Sequence, residues 1–143
     1  MKGRKIINCW TALDPIPLET ALRFHRSSHA DGVIYRAANF SDSEQDYKHA
    51  RYERPIMPDI DNDSDAEILC TAMEPGDMLI WNAYMFHSAP GNTLDQRRAA
   101  FSINWTGDDV TYEDVPALET YRDSHLKNGD RIEGKKFPLV RQA

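Results

Sequence analysis

The chain has 143 residues, of which 41% are apolar and 28% charged, and its formal net charge is -6. This length suffices for one domain with one hydrophobic core, so we expect residues 1–143 to form a single domain. The acidic charge excludes nucleic acid and anionic membrane surfaces as favoured partners, because both are polyanionic.

The chain has no apolar run near the ~20 residues that a membrane-spanning helix requires, and its first ten residues, MKGRKIINCW, lack a signal-peptide pattern. Two cysteines, Cys9 and Cys70, lie in apolar stretches, which predicts two buried thiols in a reducing compartment. These features together predict a cytoplasmic protein.

Short segments with strand character follow one another along the chain, separated by turns rich in proline and glycine. The segment DMLIWNAYMFH is expected to form two short strands with a bend near Asn82. Five or six short strands joined in this way are typical of a β-sandwich or barrel. The segments are KIINCWTAL (5–13), ALRFHRSS (21–28), AEILCTAM (66–73), DMLIWNAYMFH (77–87) and RRAAFSINW (97–105).

Two polar stretches interrupt this pattern. Residues 36–65 are too long for a passive connection, which favours a lid or binding loop with a short helix over residues 43–53. Residues 117–129 are compatible with a surface helix that ends at Gly129.

The last strand has two distinct faces, because side chains alternate along a strand. One face is small and polar and suits the interior of a barrel that holds a charged ligand: Arg98, Ala100, Ser102 and Asn104. The other is apolar and is expected to be buried: Phe101, Ile103 and Trp105. Arg97 is interpreted as a solvated charge.

Three stretches carry a resemblance to a known family. KIINCWTALDPIPLETALRFHRSSH resembles a family strand with Trp-x-Ala-Leu followed by a Gly-Ser-His turn, with Ser27 in place of the turn glycine. EPGDMLIWNAYMFHSAPGNTLDQRRAAFSINWTGDD and the later KKFPLV are similar to the family's histidine–arginine strand pair and its C-terminal ending. The family is the phytanoyl-CoA dioxygenase family of non-haem Fe(II), 2-oxoglutarate-dependent oxygenases, and the resemblance implies an all-β double-stranded β-helix, or jelly roll.

The resemblance also implies roles for individual residues. His87 corresponds to the second iron-ligating histidine, and Arg98 to the arginine whose planar fork binds the far carboxylate of 2-oxoglutarate. Trp10 corresponds to a position that lines the cosubstrate pocket. The cofactors implied are therefore Fe(II) and 2-oxoglutarate, held by two histidines and one carboxylate with open positions for the ligands.

The family's first iron ligands form a His-x-Asp pair that lies upstream of the Trp-x-Ala-Leu strand. Trp10 lies close to the start of this sequence, which leaves no room for that pair before it. We therefore expect the chain to be the C-terminal portion of a longer dioxygenase domain, an incomplete jelly roll without that pair. The chain does contain one other His-x-Asp, His29 and Asp31, which follows the turn and is a less favoured source of replacement ligands.

Three functions remain open from the sequence. The first is a 2-oxoglutarate-dependent dioxygenase acting as a hydroxylase on an unidentified small molecule, active once its metal site is complete. The second is a catalytically silent, truncated β-domain, and the third is a cupin-like binder of small carboxylates. Uncovered strands in a partial barrel also predict a homodimer, with its interface near Ile6 to Trp10.

Overall fold

Six short β-strands and one short 3-10 helix form the regular structure of the residues that the computed structural model describes, which are 1–35, 55, 58–59, 62–113 and 125–140. The all-β prediction is confirmed. In this part of the chain no helix is long and apolar enough to cross a bilayer. The elements are β1 (Ile6–Ala12), the 3-10 helix (Leu18–Thr20), β2 (Arg23–His25), β3 (Ile68–Cys70), β4 (Met78–Asn82), β5 (His87–Ser88) and β6 (Ala100–Thr106).

All five predicted strand segments contain a strand, but each strand is shorter than its segment. The bend predicted near Asn82 is confirmed, since the Asn82 side-chain oxygen accepts a hydrogen bond from the Tyr84 N–H, 3.0 Å away, and the chain then turns into β5. The helix predicted over 43–53 lies outside the described residues, as does most of the helix predicted over 117–129. The lid predicted over 36–65 is described only at residues 55, 58–59 and 62–65.

The strands form two antiparallel three-stranded sheets. In the first sheet, in the order β4-β1-β6, the central strand β1 pairs along its whole length with β6, from Ile6 opposite Thr106 to Ala12 opposite Ala100. In the second sheet, in the order β3-β2-β5, Phe24 lies between Leu69 and His87. Central strands therefore come from the N-terminal part of the chain and their neighbours from its later part.

The interior lies between the two sheets. Trp81 of β4 contacts Phe24 of β2, with ring centroids 5.0 Å apart, which identifies the face of the first sheet that points toward the second. The same inner face carries Trp10 and Ala12, because these residues alternate in register with the side of β4 that bears Trp81. A cluster of small and medium apolar side chains closes one end of this interior: Ala12, Ile16, Ala21 and Met73, with Trp10 and Leu79 against it.

The opposite face of the first sheet is apolar and largely exposed. Its exposed large side chains are Ile7, Met78, Ile80, Phe101, Ile103 and Trp105, which we call the outer apolar face. The expectation that the Phe101–Ile103–Trp105 side of β6 is buried is therefore wrong, because no described element covers it. The prediction of two buried thiols is correct for Cys9, which lies at the middle of this face between larger neighbours. It is wrong for Cys70, which is exposed.

β6 begins at Ala100, so Arg97 and Arg98 precede the strand rather than belonging to it. The Asp14 carboxylate fixes this strand start: it accepts hydrogen bonds from Arg97 Nε and Nη2 at 2.9 and 2.8 Å and from the Ala99 N–H at 2.9 Å. Arg97 is exposed, as expected, but it is also half of a bidentate ion pair. The end of β1 and the start of β6 are thereby joined.

The turn after β2 contains a strained residue. Ser27 has a φ of 60°, the left-handed region that disfavours residues with a Cβ, and it stands at the position where the resembling family has glycine. Its neighbour Ser28 holds the turn, since its hydroxyl donates to the His25 carbonyl at 2.9 Å and accepts from the Phe86 N–H at 2.8 Å.

We expect Ser27→Gly to stabilise the fold by about 0.5–1 kcal/mol, because relief of the left-handed strain exceeds the added entropy of a glycine in the unfolded chain. Thermal unfolding should shift upward by roughly 3 °C. Ser28→Gly is the control and should destabilise, since it removes two hydrogen bonds. A Ser27→Gly protein that melts below the parent chain would contradict the assignment of strain.

The Asp14 ion pair makes the stability of the fold depend on pH. Hydrogen bonds from Arg97, aided by the Ala99 N–H and opposed by burial, lower the pKa of the Asp14 carboxyl from its ordinary 3.8. A carboxyl whose pKa is lower in the folded than in the unfolded chain stabilises the fold above about pH 4, and that stabilisation is lost as the pH falls through the folded pKa.

We therefore expect the urea midpoint of the parent chain to fall more steeply between pH 5 and pH 2 than that of Asp14→Asn, and to exceed it at pH 7. Asp95→Asn provides the control. Asp95 is an exposed carboxylate near β6 in the sequence, and its side chain makes no hydrogen bond to a described residue. Equal pH slopes for the parent chain and Asp14→Asn would refute the role of this ion pair.

Candidate metal and cosubstrate site

His87 opens β5 and is half-buried between the sheets. Its Nδ1 lies 2.8 Å from the Met85 carbonyl oxygen. A carbonyl can only accept a hydrogen bond, so Nδ1 carries a proton, and in the neutral ring Nε2 then keeps its lone pair. Metal-ligating histidines commonly have this arrangement, in which one ring nitrogen donates to a backbone carbonyl and the other faces the metal.

Two aromatic side chains fix the plane of the His87 ring. Phe24, opposite it on β2, stacks on the imidazole at a centroid distance of 5.9 Å and an interplanar angle of 25°. Trp81 approaches from the first sheet at 5.3 Å and 63°. The imidazole is therefore held by one ring from each sheet, which restricts its rotation about the Cα–Cβ and Cβ–Cγ bonds.

Arg98 is half-buried and lies between the 3-10 helix and the connection from β5 to β6. Its Nη1 donates to the Thr20 carbonyl at 2.6 Å and to the Pro90 carbonyl at 3.0 Å. Both acceptors are backbone atoms, so the guanidinium is positioned by the chain trace rather than by a carboxylate partner. Among the described residues, Nε and Nη2 have no hydrogen-bond acceptor. The guanidinium therefore keeps donors for an anionic ligand.

Trp10 lies on the inner face of β1, between Leu79 and Ser102 in the register, and packs against the buried cluster around Ala12 and Ile16. It shares this inner face with Trp81, the residue that contacts His87. Ser102, opposite Trp10 on β6, and Asn104, opposite Asn8, are exposed, so the interior is open on the β6 side. This matches the small, polar face predicted for that strand.

His29 and Asp31 lie in an exposed turn and not on a strand, so the same-face argument for a chelating pair does not hold for them. The Asp31 carboxylate is already engaged: one oxygen accepts from the Val33 N–H at 2.8 Å and the other from the Tyr35 hydroxyl at 3.0 Å. Its hydrogen bond to Tyr35 raises the pKa of that phenol. Asp31 therefore acts here as the acceptor that shapes a loop.

The donor set fits a facial iron site only in part. Within the described ranges, no group of three or more His, Cys, Asp or Glu side chains lies close enough together to hold a metal ion. His87 has the protonation pattern of a ligand, but a single imidazole is a weak site because affinity comes from several preplaced ligands. The described residues thus provide one ligand position and an arginine suited to a carboxylate.

Several contributors to this site were not predicted from the sequence. Phe24 could have been found, since it lies between the polar Arg23 and His25 and so occupies the inward side of its strand. Trp81 follows Ile80 in an apolar strand, so alternation gives no such signal for it. The carbonyls of Met85, Thr20 and Pro90 give no such signal, because backbone groups are present at every position and only the fold selects which of them point inward.

Comparison with known proteins places these observations in a family. The family model for phytanoyl-CoA dioxygenase (PhyH) matches residues 2–100. A search of curated proteins gave no match.

Among solved structures, the chain is similar to the non-heme alpha ketoglutarate dependent carbocyclase SnoK from nogalamycin biosynthesis, with 23% identity, a TM-score of 0.68, and coverage of 99% of this chain and 51% of that chain. It is also similar to the alpha ketoglutarate dependent epimerase SnoN of the same biosynthesis, with 20% identity, a TM-score of 0.63, and coverage of 96% and 48%.

A third structure, SnoN in complex with Fe3+, alpha ketoglutarate and nogalamycin RO, matches with 19% identity, a TM-score of 0.62 and coverage of 96% and 51%. At such identities the similarity shows a shared jelly-roll fold, and the chain spans about half the length of the structures it matches. Because the family model covers well over half of the sequence and the strands follow the jelly-roll pattern, the chain belongs to the phytanoyl-CoA dioxygenase family.

Proposed function

We propose that the chain provides the second-histidine and arginine half of an Fe(II)/2-oxoglutarate-dependent dioxygenase site, and that it acts as a hydroxylase when the remaining ligands are supplied. The observation that carries this proposal is the His87 ring, whose Nδ1–H is bound to the Met85 carbonyl and whose Nε2 is left as a ligand atom. Family membership and the similarity to alpha ketoglutarate dependent enzymes support the same chemistry.

In this proposal each residue has one task. His87 presents Nε2 to the metal, while Phe24 and Trp81 keep its ring from turning away. Arg98 binds the carboxylate of 2-oxoglutarate that is remote from the metal, with the donors that Thr20 and Pro90 leave free. Trp10 forms the wall of the same interior. Fe(II), when bound, supplies the oxygen chemistry that no side chain here can perform.

The other two ligands must come from outside the described residues or from another polypeptide, because these residues contain no three-ligand group. The same finding favours a second candidate, a catalytically silent domain of the same fold. The two differ in whether metal strengthens 2-oxoglutarate binding through His87. A third candidate, a binder of small carboxylates, would need Arg98 but no metal.

The test is calorimetric titration of the purified chain with 2-oxoglutarate, without metal and with Mn(II) as a redox-silent substitute for Fe(II). We expect Mn(II) to tighten binding by about tenfold in the parent chain and not in His87→Ala. Arg98→Ala should abolish binding, whereas Arg97→Gln, a neighbouring arginine bonded to Asp14, should retain it. Binding that needs Arg98 but ignores Mn(II) would replace the proposal with a carboxylate binder, and no binding at all would leave the silent domain.

Turnover gives a separate expectation. With Fe(II) in air, the chain alone should form little succinate from 2-oxoglutarate, since only His87 is placed as a ligand. Steady succinate formation that is lost in His29→Ala would contradict this expectation and assign the missing ligands to the His29/Asp31 pair.

The tautomer of His87 can be measured directly. Long-range 1H–15N correlation spectra at pH 8 should show His87 protonated at Nδ1, because the Met85 carbonyl accepts only from that nitrogen. His29, exposed in its turn, serves as the internal reference and should show the solution preference for a proton on Nε2. A proton on Nε2 of His87 would remove the observation on which the proposed function rests.

A further inference from the structure

Arg98 has a neighbour with the same side chain, Arg97, and the two guanidinium groups have different surroundings. The Arg97 side chain is 79% exposed and is bound to Asp14, whereas Arg98 is half-buried and donates to the Thr20 and Pro90 carbonyls. Both arginines precede β6, so the pairing of β6 with β1 does not by itself fix them. A shift of the chain by one residue would exchange their directions, because successive side chains along a strand point to opposite sides. Another contact must determine which arginine faces the interior.

The end of β1 supplies that contact. Asp14 Oδ2 accepts from Arg97 Nε at 2.9 Å and from the Ala99 N–H at 2.9 Å, and Oδ1 accepts from Arg97 Nη2 at 2.8 Å. The Leu13 N–H donates to the Ala99 carbonyl at 3.0 Å, so both backbone polar groups of Ala99 are bound. The residues on either side of Arg98 are therefore tied to the end of β1, one by its side chain and the other by its backbone.

The segment that carries Asp14 is itself anchored in the core. Ile16, two residues further on, is 1% exposed and exchanges two backbone hydrogen bonds with Met73, at 2.8 and 2.9 Å. The segment ends in the 3-10 helix, whose last residue, Thr20, is buried and supplies a carbonyl to the Arg98 guanidinium. One anchored segment thus holds the backbone around Arg98 and also the tip of its side chain.

We propose that Asp14 is a positioning residue for the cosubstrate arginine: by binding Arg97 on the outside and the Ala99 N–H, it selects Arg98 as the arginine that meets the ligand. This inference rests on the proposed function, in which Arg98 binds the remote carboxylate of 2-oxoglutarate. Asp14 acts through its neighbours and not by contact with the ligand, since its carboxylate would repel an anion.

Electrostatics and positioning predict opposite effects of removing the Asp14 carboxylate. Its removal deletes a negative charge near an anion site and releases the positive charge of Arg97, so Coulomb attraction alone would tighten the binding of 2-oxoglutarate. Loss of positioning would weaken that binding, because a displaced guanidinium no longer aligns its hydrogen bonds with the carboxylate. The direction of the change therefore identifies the role of Asp14.

Calorimetric titration of the whole chain with 2-oxoglutarate, without metal, tests this inference. We expect Asp14→Ala to weaken binding by about tenfold, and Asp14→Asn, which keeps an oxygen for the Ala99 N–H, to weaken it less. Arg97→Gln should bind as the parent chain does, since Asp14 still accepts from the Ala99 N–H and no second arginine competes. Asp95→Asn removes an equal charge and should not weaken binding. Unchanged or tighter binding by Asp14→Ala overturns the proposal.

A general loss of stability has to be separated from a loss of positioning. Ser28→Gly removes two hydrogen bonds from a turn that makes none to the Asp14 segment, so it should melt lower than the parent chain and still bind 2-oxoglutarate. Each titration is made at a temperature at which circular dichroism shows the variant to be folded. Binding that weakens as much in Ser28→Gly as in Asp14→Ala would reduce the role of Asp14 to stability alone and so overturn the proposal.

The order of the Arg98 side chain can be measured without any ligand. Its Nε–H signal in 1H–15N spectra is assigned by its absence from Arg98→Lys, and its heteronuclear NOE should be positive in the parent chain and in Arg97→Gln but reduced in Asp14→Ala. A parent chain that does not bind 2-oxoglutarate contradicts the proposed function, and this NOE then decides the inference separately. An Arg98 signal that is equally ordered in Asp14→Ala overturns the positioning role of Asp14.

Discussion

The contact between Phe24 and Trp81 sets the relation of the two sheets, and the candidate site depends on that relation. These rings meet edge to face at 5.0 Å, one from the central strand of the second sheet and one from an edge strand of the first. Aromatic pairs in this geometry contribute roughly 0.5–1.5 kcal/mol beyond the burial of their area. Their positions define an inner and an outer face for the first sheet, so the same contact that encloses His87 leaves the other face exposed.

Positioning of the two candidate ligand-binding residues follows different principles. His87 is oriented by packing, since Phe24 stacks on its imidazole and Trp81 meets it at a steep angle, and by one backbone carbonyl. Arg98 is oriented by backbone carbonyls from two separate segments, at Thr20 and Pro90. Backbone acceptors leave the charge of a guanidinium uncompensated, whereas a carboxylate partner would neutralise it. A site that binds a dianion benefits from this, because the arginine's positive charge stays available to the ligand.

The sequence predicted the strands and the family better than it predicted exposure. Period-2 alternation located every strand segment, and the His87 and Arg98 positions followed from a family resemblance that the family model confirms. Burial of Phe101, Ile103 and Trp105 was predicted wrongly, because alternation identifies an apolar strand face but does not show whether an element of the same chain covers it. Arg97 and Asp14 are separated by 83 positions, and their ion pair exists only because β1 and β6 are neighbours. Pairing over such a distance leaves no local signal in either segment.

The order of strands in the first sheet has a kinetic consequence. β1 is the central strand, yet its partner β6 is separated from it by most of the chain, with Ile6 opposite Thr106. Closing a loop of that length must precede the gain from pairing, and such non-local topologies fold in milliseconds to seconds rather than microseconds. During synthesis on the ribosome, Ile7 and Cys9 remain without their β6 neighbours, Trp105 and Ile103, until that strand has emerged. β1 therefore spends longer in the nascent chain with an unpaired edge than its partner β6 does.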